Sequence, residues 1–158
     1  MALSPGKQVK LNAGGKSFNI TNTPCQHLPG GECTSLILES PDFGTTDGKP
    51  NIIFISGDTR YLEELVSIRE KYHVSVAILH FGVATVPLPK EPRPITMGEK
   101  VDAKLARELG ADMIVPIHYE SWAHFAEGSE ELHQILDQEE GIKDKVHWLK
   151  PGHPEKFF

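Results

Sequence analysis

The stretch Asn51-Ile52-Ile53-Phe54-Ile55-Ser56-Gly57-Asp58-Thr59 decides the fold class of this chain, because a short apolar run ends at a potential metal ligand. A continuous apolar run is typical of a strand that is covered on both faces. The pattern recurs where Met113–Ile117 leads into His118, and where Ser17–Asn22 is followed shortly by His27. Strands that end in His or Asp bring ligands to the edge where open α/β sheets bind substrates. We therefore predict an α/β fold with candidate ligands along one sheet edge.

Composition restricts the classes of partner. The 158 residues fit one domain, and 39% hydrophobic with 24% charged residues is ordinary for a globular protein. The formal charge of -6 argues against a nucleic-acid partner, and no apolar stretch approaches the roughly 20 residues that span a bilayer. Cys25 and Cys33 have the spacing of neither a zinc knuckle nor a redox pair. Two reduced thiols in a cytoplasmic protein are the expectation.

Periodicity divides the chain into alternating elements. Residues 1–16 are predicted to be an irregular lead-in, and residues 153–158 a tail. The predicted strands are Ser17–Asn22, Cys33–Ser40, Asn51–Ile55, Val74–Phe81, Met113–Ile117 and Val146–Leu149. The predicted helices are Tyr61–Tyr72, the segment from Thr96 to Leu109, and Ser129–Gln138, and the predicted loops are Pro41–Pro50, Gly82–Pro94 and Tyr119–Gly128. The order β-α-β-α-β from Asn51 to Ile117 favours a layered α/β structure.

The helix after Thr96 has the clearest sequence signals. Thr96-Met97-Gly98-Glu99 fits a capping box, in which the hydroxyl and the carboxylate bond free backbone N–H groups. Val101, Leu105 and Leu109 form an apolar stripe, and Gly110 is expected to end the helix.

His27, Asp58 and His118 are the candidate metal ligands, and each has a plain structural alternative. His27 follows Thr-Pro and precedes two glycines, so it also fits a loop histidine in a tight turn. Asp58 also fits a helix N-cap. His118 also fits a core histidine that is satisfied by a carbonyl. His80 lies inside a predicted strand and is interpreted as a packed or edge residue.

Three segments together resemble the metallo-β-lactamase-fold hydrolases. They are Thr23-Pro-Cys-Gln-His27, Ile52-Ile-Phe-Ile-Ser-Gly-Asp-Thr59 and Ile114-Val-Pro-Ile-His-Tyr-Glu-Ser-Trp-Ala-His-Phe125. The resemblance is closest to the branch of the sugar-phosphate lactonases and the N-acyl-phosphatidylethanolamine phospholipase D. It extends from about Ser17 to Gly152, so a domain over residues 17–152 is expected.

The resemblance implies the second half of an αββα sandwich with metals at its edge. It implies that His27 serves one ion and His118 another, while Asp58 bridges both. Asp58 and His118 are then the catalytic candidates, acting around a metal-held hydroxide that attacks a carbonyl or phosphoryl centre. One or two Zn²⁺ ions, or Mn²⁺ or iron, are the expected cofactors, and a small molecule is the expected substrate. The pocket candidates are Tyr119, Glu120, Trp122 and His124.

The sequence departs from this family at the motif that supplies most of its ligands. The family's His-x-His-x-Asp-His segment precedes the Thr-Pro-x-x-His strand, yet Met1–Thr23 contains no histidine. Two protein ligands for each ion are fewer than the usual three. We therefore expect a truncated hydrolase of esters, lactones or phosphodiesters that is weakly active or inactive alone. Half a sandwich would also leave a sheet face uncovered and invite self-association.

Two alternatives remain open at the level of sequence. One is a non-catalytic binding or structural module on a degenerate metallo-β-lactamase scaffold, in which His27 and His118 bond protein neighbours. The other is an active hydrolase in which His124 or Glu120 replaces a missing ligand.

Overall fold

One continuous sheet organises the structure, a computed structural model that describes residues 4–27, 33–86, 93–120 and 129–157. Within these ranges the strands are β1 Gln8–Ala13, β2 Lys16–Thr23, β3 Ser35–Glu39, β4 Thr45–Thr46, β5 Lys49–Ile55, β6 His73–His80, β7 Thr85–Val86, β8 Arg93–Pro94 and β9 Met113–Ile117. The helices are α1 Ile68–Lys71, α2 Glu99–Leu109 and α3 Ser129–Gln138, with 3-10 turns at Pro41–Phe43, Glu63–Ser67 and Lys143–Lys145.

The main sheet changes from antiparallel to parallel across its width. Its strand order is β1-β2-β3-β5-β6-β9, with β4 paired to β5, while β7 and β8 form a separate pair. Strands β1, β2, β3 and β5 are antiparallel neighbours, whereas β5, β6 and β9 run parallel. The last residues of those three parallel strands therefore lie at the same edge.

The helices cover one face of the parallel strands. Phe54, Leu79 and Ile114 of that face share a buried cluster with Leu105 of α2 and Leu132 of α3. Each fully buried apolar side chain of this size contributes about 1.5–3 kcal/mol through its removal from water. The α/β class expected from the sequence is confirmed, as one sheet with helices packed on one face.

The other face of the sheet is also apolar. Strand register places Leu36 beside Ile55 and Ile55 beside Ile78, and the neighbouring row pairs Leu38 with Ile53. These five side chains are partly exposed, and none of them belongs to the core cluster beneath the helices. Self-association through this face stays a prediction.

The irregular lead-in expected over residues 1–16 is wrong, because β1 is an edge strand of the sheet. Ala13 pairs with Lys16, so Gly14 and Gly15 form a two-residue hairpin turn, with φ of 58° and 77°. Positive φ at both central residues matches the twist of the flanking strands. The Gly-Gly pair was therefore a hairpin signal rather than a sign of irregularity.

The surface loop expected over Pro41–Pro50 is also structured. It contains a 3-10 turn and then β4, which turns back onto β5 through Asp47 and Gly48. Both turn residues have positive φ, at 51° and 76°, which is again the Asp-Gly hairpin geometry. The extended loop expected over Gly82–Pro94 likewise contains β7 and β8, and residues 87–92 lie outside the described ranges.

The single helix expected over Tyr61–Tyr72 is instead a 3-10 turn followed by α1. Its apolar residues Leu62, Leu65 and Ile68 repeat every third residue, which is the repeat of a 3-10 helix rather than an α-helix.

The expected capping box at Thr96 is wrong. The Thr96 hydroxyl donates to the Gly82 carbonyl at 2.6 Å and accepts from the Ala84 N–H at 2.7 Å. Helix α2 instead begins after Gly98, and no side chain caps its N-terminus. The helix ends at Gly110, in the left-handed conformation, as predicted.

Two predictions at the end of the chain differ in outcome. Helix α3 has the bounds predicted from the sequence, Ser129–Gln138. The short strand predicted over Val146–Leu149 is wrong, because only an isolated bridge joins Val146 to Ile114. In the part of the chain that the structure describes, no helix combines the length and the apolar character that crossing a bilayer requires.

Truncating a buried residue of α2 should destabilise the fold far more than truncating an exposed one. Leu105 is fully buried, whereas Val101 is 38% exposed. We expect Leu105→Ala to lower the free energy of unfolding by about 2–5 kcal/mol. The matched Val101→Ala change should stay within about 0.5 kcal/mol. Urea denaturation measures both, and equal losses would contradict this packing.

Candidate metal centre

Three parallel strands end in polar residues at one edge of the sheet. Strand β5 is followed by Asp58, β6 ends at His80, and β9 is followed by His118. The pairing of Ile55 with Ile78 and of His80 with Ile117 aligns these ends. A carboxylate and two imidazoles therefore gather where α/β sheets generally bind ligands.

Gly57 is what allows the chain to turn from β5 into Asp58. Its φ is +57°, in the left-handed region that glycine adopts without strain. A Cβ at this position would lie 2.3 Å from the carbonyl oxygen of Thr34. The backbone of Gly57 thus lies so close to Thr34 that a residue with a Cβ would not fit at position 57. The same turn places Asp58 beyond the end of β5.

Asp58 and His118 are in direct contact. Asp58 Oδ1 lies 3.3 Å from His118 Nδ1. The two side chains are 36% and 30% exposed, while the Nδ1 atom of His118 is itself shielded from solvent. His118 has a φ of +59°, which is uncommon for a residue with a side chain. Backbone strain of this kind persists where the surroundings impose it and is concentrated at functional sites.

His80 lies beside this pair and was not among the ligands predicted from the sequence. Its ring centroid is 5.4 Å from that of His118. Burial lowers the pKa of His80, and the charge of His118 adds to this effect, while the Asp58 carboxylate opposes it. The signal that could have found His80 is the one used for the other two: an apolar run, Val74–Leu79, that ends in a ligand type.

His27 is held on the other side of the Asp58 turn. Its Nδ1 lies 2.8 Å from the Ile95 carbonyl oxygen. The preceding residue is tied to the turn, since the Gln26 N–H donates to Thr59 Oγ1 at 2.9 Å and the Gln26 carbonyl accepts from the Arg60 N–H at 2.7 Å. Thr59 thus fixes the segment after β2, which carries His27, against the segment that carries Asp58.

The donor atoms present have the chemistry of a divalent metal site. Carboxylate and imidazole both bind zinc and similar ions, with bonds of about 2.0–2.2 Å. Two such ligands on one tetrahedral ion lie roughly 3.3 Å apart, by the geometry of those bond lengths. The Asp58–His118 separation already has this value.

The described residues bring together fewer donor side chains than a metal site ordinarily has. Across residues 4–27, 33–86, 93–120 and 129–157, no three His, Cys, Asp or Glu side chains stand as a group that could hold a metal ion. Asp58 and His118 therefore form a ligand pair, and the joint role of His27, Asp58 and His118 as metal ligands stays a prediction.

A cleft opens beside His118. It has a volume of about 360 Å³, and its lining comprises Pro116, Ile117, His118, Tyr119, Glu120, Leu149 and Pro151. Burial raises the pKa of Tyr119, as does the charge of Glu120, and its ring meets Trp148 edge-on at 5.7 Å. Two of the predicted pocket residues, Tyr119 and Glu120, thus line a cleft next to a candidate ligand. The other two, Trp122 and His124, lie outside the described residues.

The thiols near this site are free. Cys25 Sγ donates to the Asp58 carbonyl at 3.7 Å, and neither Cys25 nor Cys33 forms a disulfide. Burial, with a hydrogen bond from Cys33, raises the pKa of Cys25 to about 11, so this thiol is protonated at neutral pH.

Replacing Gly57 by alanine should be far more damaging than the same change at Gly48. Both glycines have positive φ, but only Gly57 has a neighbour within 4 Å of the added Cβ. Each alanine should lose about 1–2 kcal/mol to the left-handed backbone. Gly57→Ala should lose a further 1–3 kcal/mol, approximately, through overlap with Thr34. Urea denaturation tests this, and equal effects at the two sites would contradict the close approach.

Glycine should be better tolerated than alanine at position 118, because the backbone there is left-handed. We expect His118→Gly to be more stable than His118→Ala by about 1 kcal/mol, because only alanine is strained at this φ. His133 in helix α3 is the matched control. There the alanine variant should have a higher free energy of unfolding than the glycine variant, by about 1 kcal/mol, because glycine disfavours a helix. Chemical denaturation of the four variants measures both differences, and the same sign at both positions would contradict the strained conformation.

Comparison with curated protein sequences identifies a group of relatives. No family model matches the chain. A UPF0173 metal-dependent hydrolase from Pyrococcus abyssi is 33% identical over 107 residues, which cover 67% of this chain and 40% of the relative. Another from Solibacter usitatus is 26% identical over 128 residues, covering 81% of this chain and 47% of the relative. The chain thus spans less than half the length of these relatives.

Solved structures match almost the whole chain. The metallo-β-lactamase fold protein YhfI from Bacillus subtilis superposes with a TM-score of 0.62 at 17% identity, over 97% of this chain and 54% of its own. An isothiocyanate hydrolase from Delia radicum gut bacteria gives 0.69 at 22% identity, over 97% and 58%. The chain therefore has the metallo-β-lactamase fold over about half the length of these structures, and its sequence relatives are the UPF0173 metal-dependent hydrolases.

Proposed function

We propose that this chain is part of a metal-dependent hydrolase that acts on an ester, lactone or phosphodiester-type bond of a small molecule. The observation that carries the proposal is the contact of Asp58 with His118 at 3.3 Å, at the edge where three parallel strands end. The relatives named metal-dependent hydrolases support the metal requirement.

Asp58 and His118 are the residues that would hold the ion, with His27 as the further candidate from the sequence. A bound divalent ion lowers the pKa of water and so supplies hydroxide near neutral pH. The cleft beside His118 would receive the substrate, with Pro116, Ile117 and Leu149 against its apolar part. The Tyr119 phenol, whose pKa is raised by burial, carries its proton at neutral pH as tyrosines ordinarily do, so it would donate a hydrogen bond to a substrate oxygen.

Activity of the isolated chain should be weak or absent. Mononuclear catalytic zinc sites use three protein ligands plus water, and two-metal centres use more. The family's His-x-His-x-Asp-His segment is absent from this sequence. The further metal ligands would have to be residues other than His27, Asp58 and His118, which are the ligands that the resemblance identifies.

A non-catalytic module on the same scaffold is the second candidate. It is favoured by the lack of a three-donor group among the described residues. In that case Asp58 and His118 act as an ion pair that joins two strand ends. The two candidates differ in one measurable property, which is uptake of metal by the folded chain.

Metal binding should depend on Asp58 and not on a similar carboxylate elsewhere. We expect the chelator-stripped protein to bind about one equivalent of Zn²⁺ or Mn²⁺ at micromolar concentrations, as measured by calorimetry. Asp58→Asn should weaken binding at least about tenfold, because it removes a charged ligand. Asp112→Asn is the matched control, since Asp112 also pairs with a histidine, His73, but on the exposed surface.

Three outcomes separate the candidates. Less than one equivalent bound by folded protein would refute the hydrolase proposal and favour the module. Equal weakening by Asp112→Asn would show that binding is unspecific. Metal-dependent hydrolysis of nitrophenyl esters or phosphodiesters that Asp58→Asn abolishes would overturn the expectation that the chain is inactive alone.

A further inference from the structure

A second cavity lies where the segment after Asp58 meets the start of helix α2. The Met97 N–H donates to the Thr59 carbonyl at 3.0 Å and so ties these two segments together. The cavity has a volume of about 580 Å³, within the range of about 300–1,000 Å³ that small-molecule sites occupy. Among the described residues it shares no lining residue with the cleft beside His118. Its wall includes Arg60, Tyr61, Val83, Met97, Val101 and Lys104.

The wall of this cavity is positively charged in a chain that is acidic overall. Arg60 and Lys104 line it, and no Asp or Glu does so within the part of the chain that the structure describes. The whole chain, in contrast, has 22 acidic and 16 basic residues. Helix α2 also begins here, after Gly98, so the positive end of its dipole adds to the field. Cavity walls of one sign concentrate ligands of the opposite charge, and this wall therefore favours an anion.

Arg60 has a fixed backbone and a partly buried side chain. Its N–H donates to the Gln26 carbonyl at 2.7 Å, and its carbonyl accepts from Thr59 Oγ1 at 3.0 Å. The ion pairs formed by the described residues do not include the Arg60 guanidinium. This charge is thus partly removed from water without a carboxylate from the described residues to balance it.

The other arginines whose side chains are described each have an acceptor. Arg69 donates to the Glu108 carbonyl at 3.0 Å, and Arg107 donates to a carboxylate oxygen of Glu139. A guanidinium presents a planar fork of N–H donors that matches the oxygens of a carboxylate or a phosphate. An anionic ligand in the cavity would give Arg60 the kind of partner that these two arginines have.

Lys104 is held at the same wall by Tyr61. Its Nζ lies 4.2 Å from the centre of the Tyr61 ring, and the Tyr61 hydroxyl donates to Glu108 Oε2 at 2.7 Å. Glu108 Oε1 is 3.8 Å from Lys104 Nζ, and an exposed pair at this distance offsets the ammonium charge only in part. Because an ammonium group has three protons to donate, Lys104 can also bind a ligand oxygen.

Apolar side chains form much of the remaining wall. Met97 is almost fully buried and Val101 is 38% exposed, so apolar surface extends from the interior to solvent. The Thr96 hydroxyl also lines the cavity, but it already bonds the Gly82 carbonyl and the Ala84 N–H. A ligand would therefore place its charge at the two cations and an apolar part against Met97 and Val101.

We propose that this cavity binds a small organic anion, whose carboxylate or phosphate is held by Arg60 and Lys104. Its apolar part lies against Val83, Met97 and Val101. Binding uses no metal ion, so the site is independent of the proposed hydrolase activity.

The test is a titration of the chelator-treated protein with phenyl phosphate and with phenylacetate, followed by ¹H–¹⁵N NMR. We expect chemical-shift changes at the backbone amides of Arg60, Tyr61, Gly98 and Val101. Benzyl alcohol, which has the ring without the charge, should bind at least about tenfold more weakly, because it cannot form charge-assisted hydrogen bonds. Tighter binding of one of the two anions identifies the group that the site prefers.

Variants locate the anion. Arg60→Gln should weaken binding of the preferred anion at least about tenfold, because it removes hydrogen bonds to a charged group. Lys104→Gln should also weaken it. Lys100→Gln is the matched control, since Lys100 is exposed on the same helix and lies outside the described lining of the cavity. That variant should change the dissociation constant less than about twofold.

Four results would overturn the proposal. They are equal affinity for benzyl alcohol and the anions, shifts centred on Tyr119 and Glu120 instead, wild-type affinity in Arg60→Gln, and equal weakening by Lys100→Gln. The comparison of the three probes uses only the wild-type chain and does not depend on how a variant folds. Because the protein is free of metal, none of these results bears on the proposed hydrolase activity.

Discussion

The parallel pairing of β5, β6 and β9 is the constraint on which the candidate site depends. Residues separated by tens of positions in sequence come together only because these strands run in one direction and end at one edge. An antiparallel arrangement would send His80 to the opposite edge from Asp58 and His118. The buried cluster of Phe54, Leu79 and Ile114 under α2 and α3 holds the three strands in register. Apolar packing on one face of the sheet therefore determines which polar side chains lie together at the ends of its parallel strands.

Two backbone conformations shape that edge. Gly57 turns the chain after β5 at a point where the Thr34 carbonyl leaves no room for a side chain. His118 adopts a similar left-handed conformation while carrying an imidazole. The glycine is the residue that such a turn favours, whereas the histidine adopts it at a free-energy cost of about 1–2 kcal/mol. Backbone strain of this kind persists only where the surrounding structure imposes it.

The sheet has two apolar faces, and the helices cover one of them. The uncovered row through Leu36, Ile55 and Ile78 is continuous across three strands. In an αββα sandwich the inner faces of two sheets pack together, and an apolar face of this kind is what such packing requires. The coverage of about half of each structural neighbour agrees with that reading.

Local sequence patterns determined much of this architecture. Continuous apolar runs located β5, β6 and β9, Gly110 ended α2, and the ligand types after β5 and β9 identified Asp58 and His118. Sequence reasoning misread short-range turn chemistry, since Gly14-Gly15 and Asp47-Gly48 both encode hairpins. It also assigned the Thr96 hydroxyl to a helix cap, whereas this hydroxyl bonds the Gly82 carbonyl and the Ala84 N–H.

Which side chains meet depends on how distant strands pair and pack in three dimensions. Asp58 and His118 are in contact, His27 bonds the Ile95 carbonyl, and His80 contacts the Ser56 hydroxyl beside them. No periodicity reveals this, because strand order and register arise from packing between distant segments. The amino-acid sequence determines that imidazole and carboxylate groups lie at the strand ends. Their convergence was decided by the hydrogen bonds and apolar contacts that align three strands in parallel.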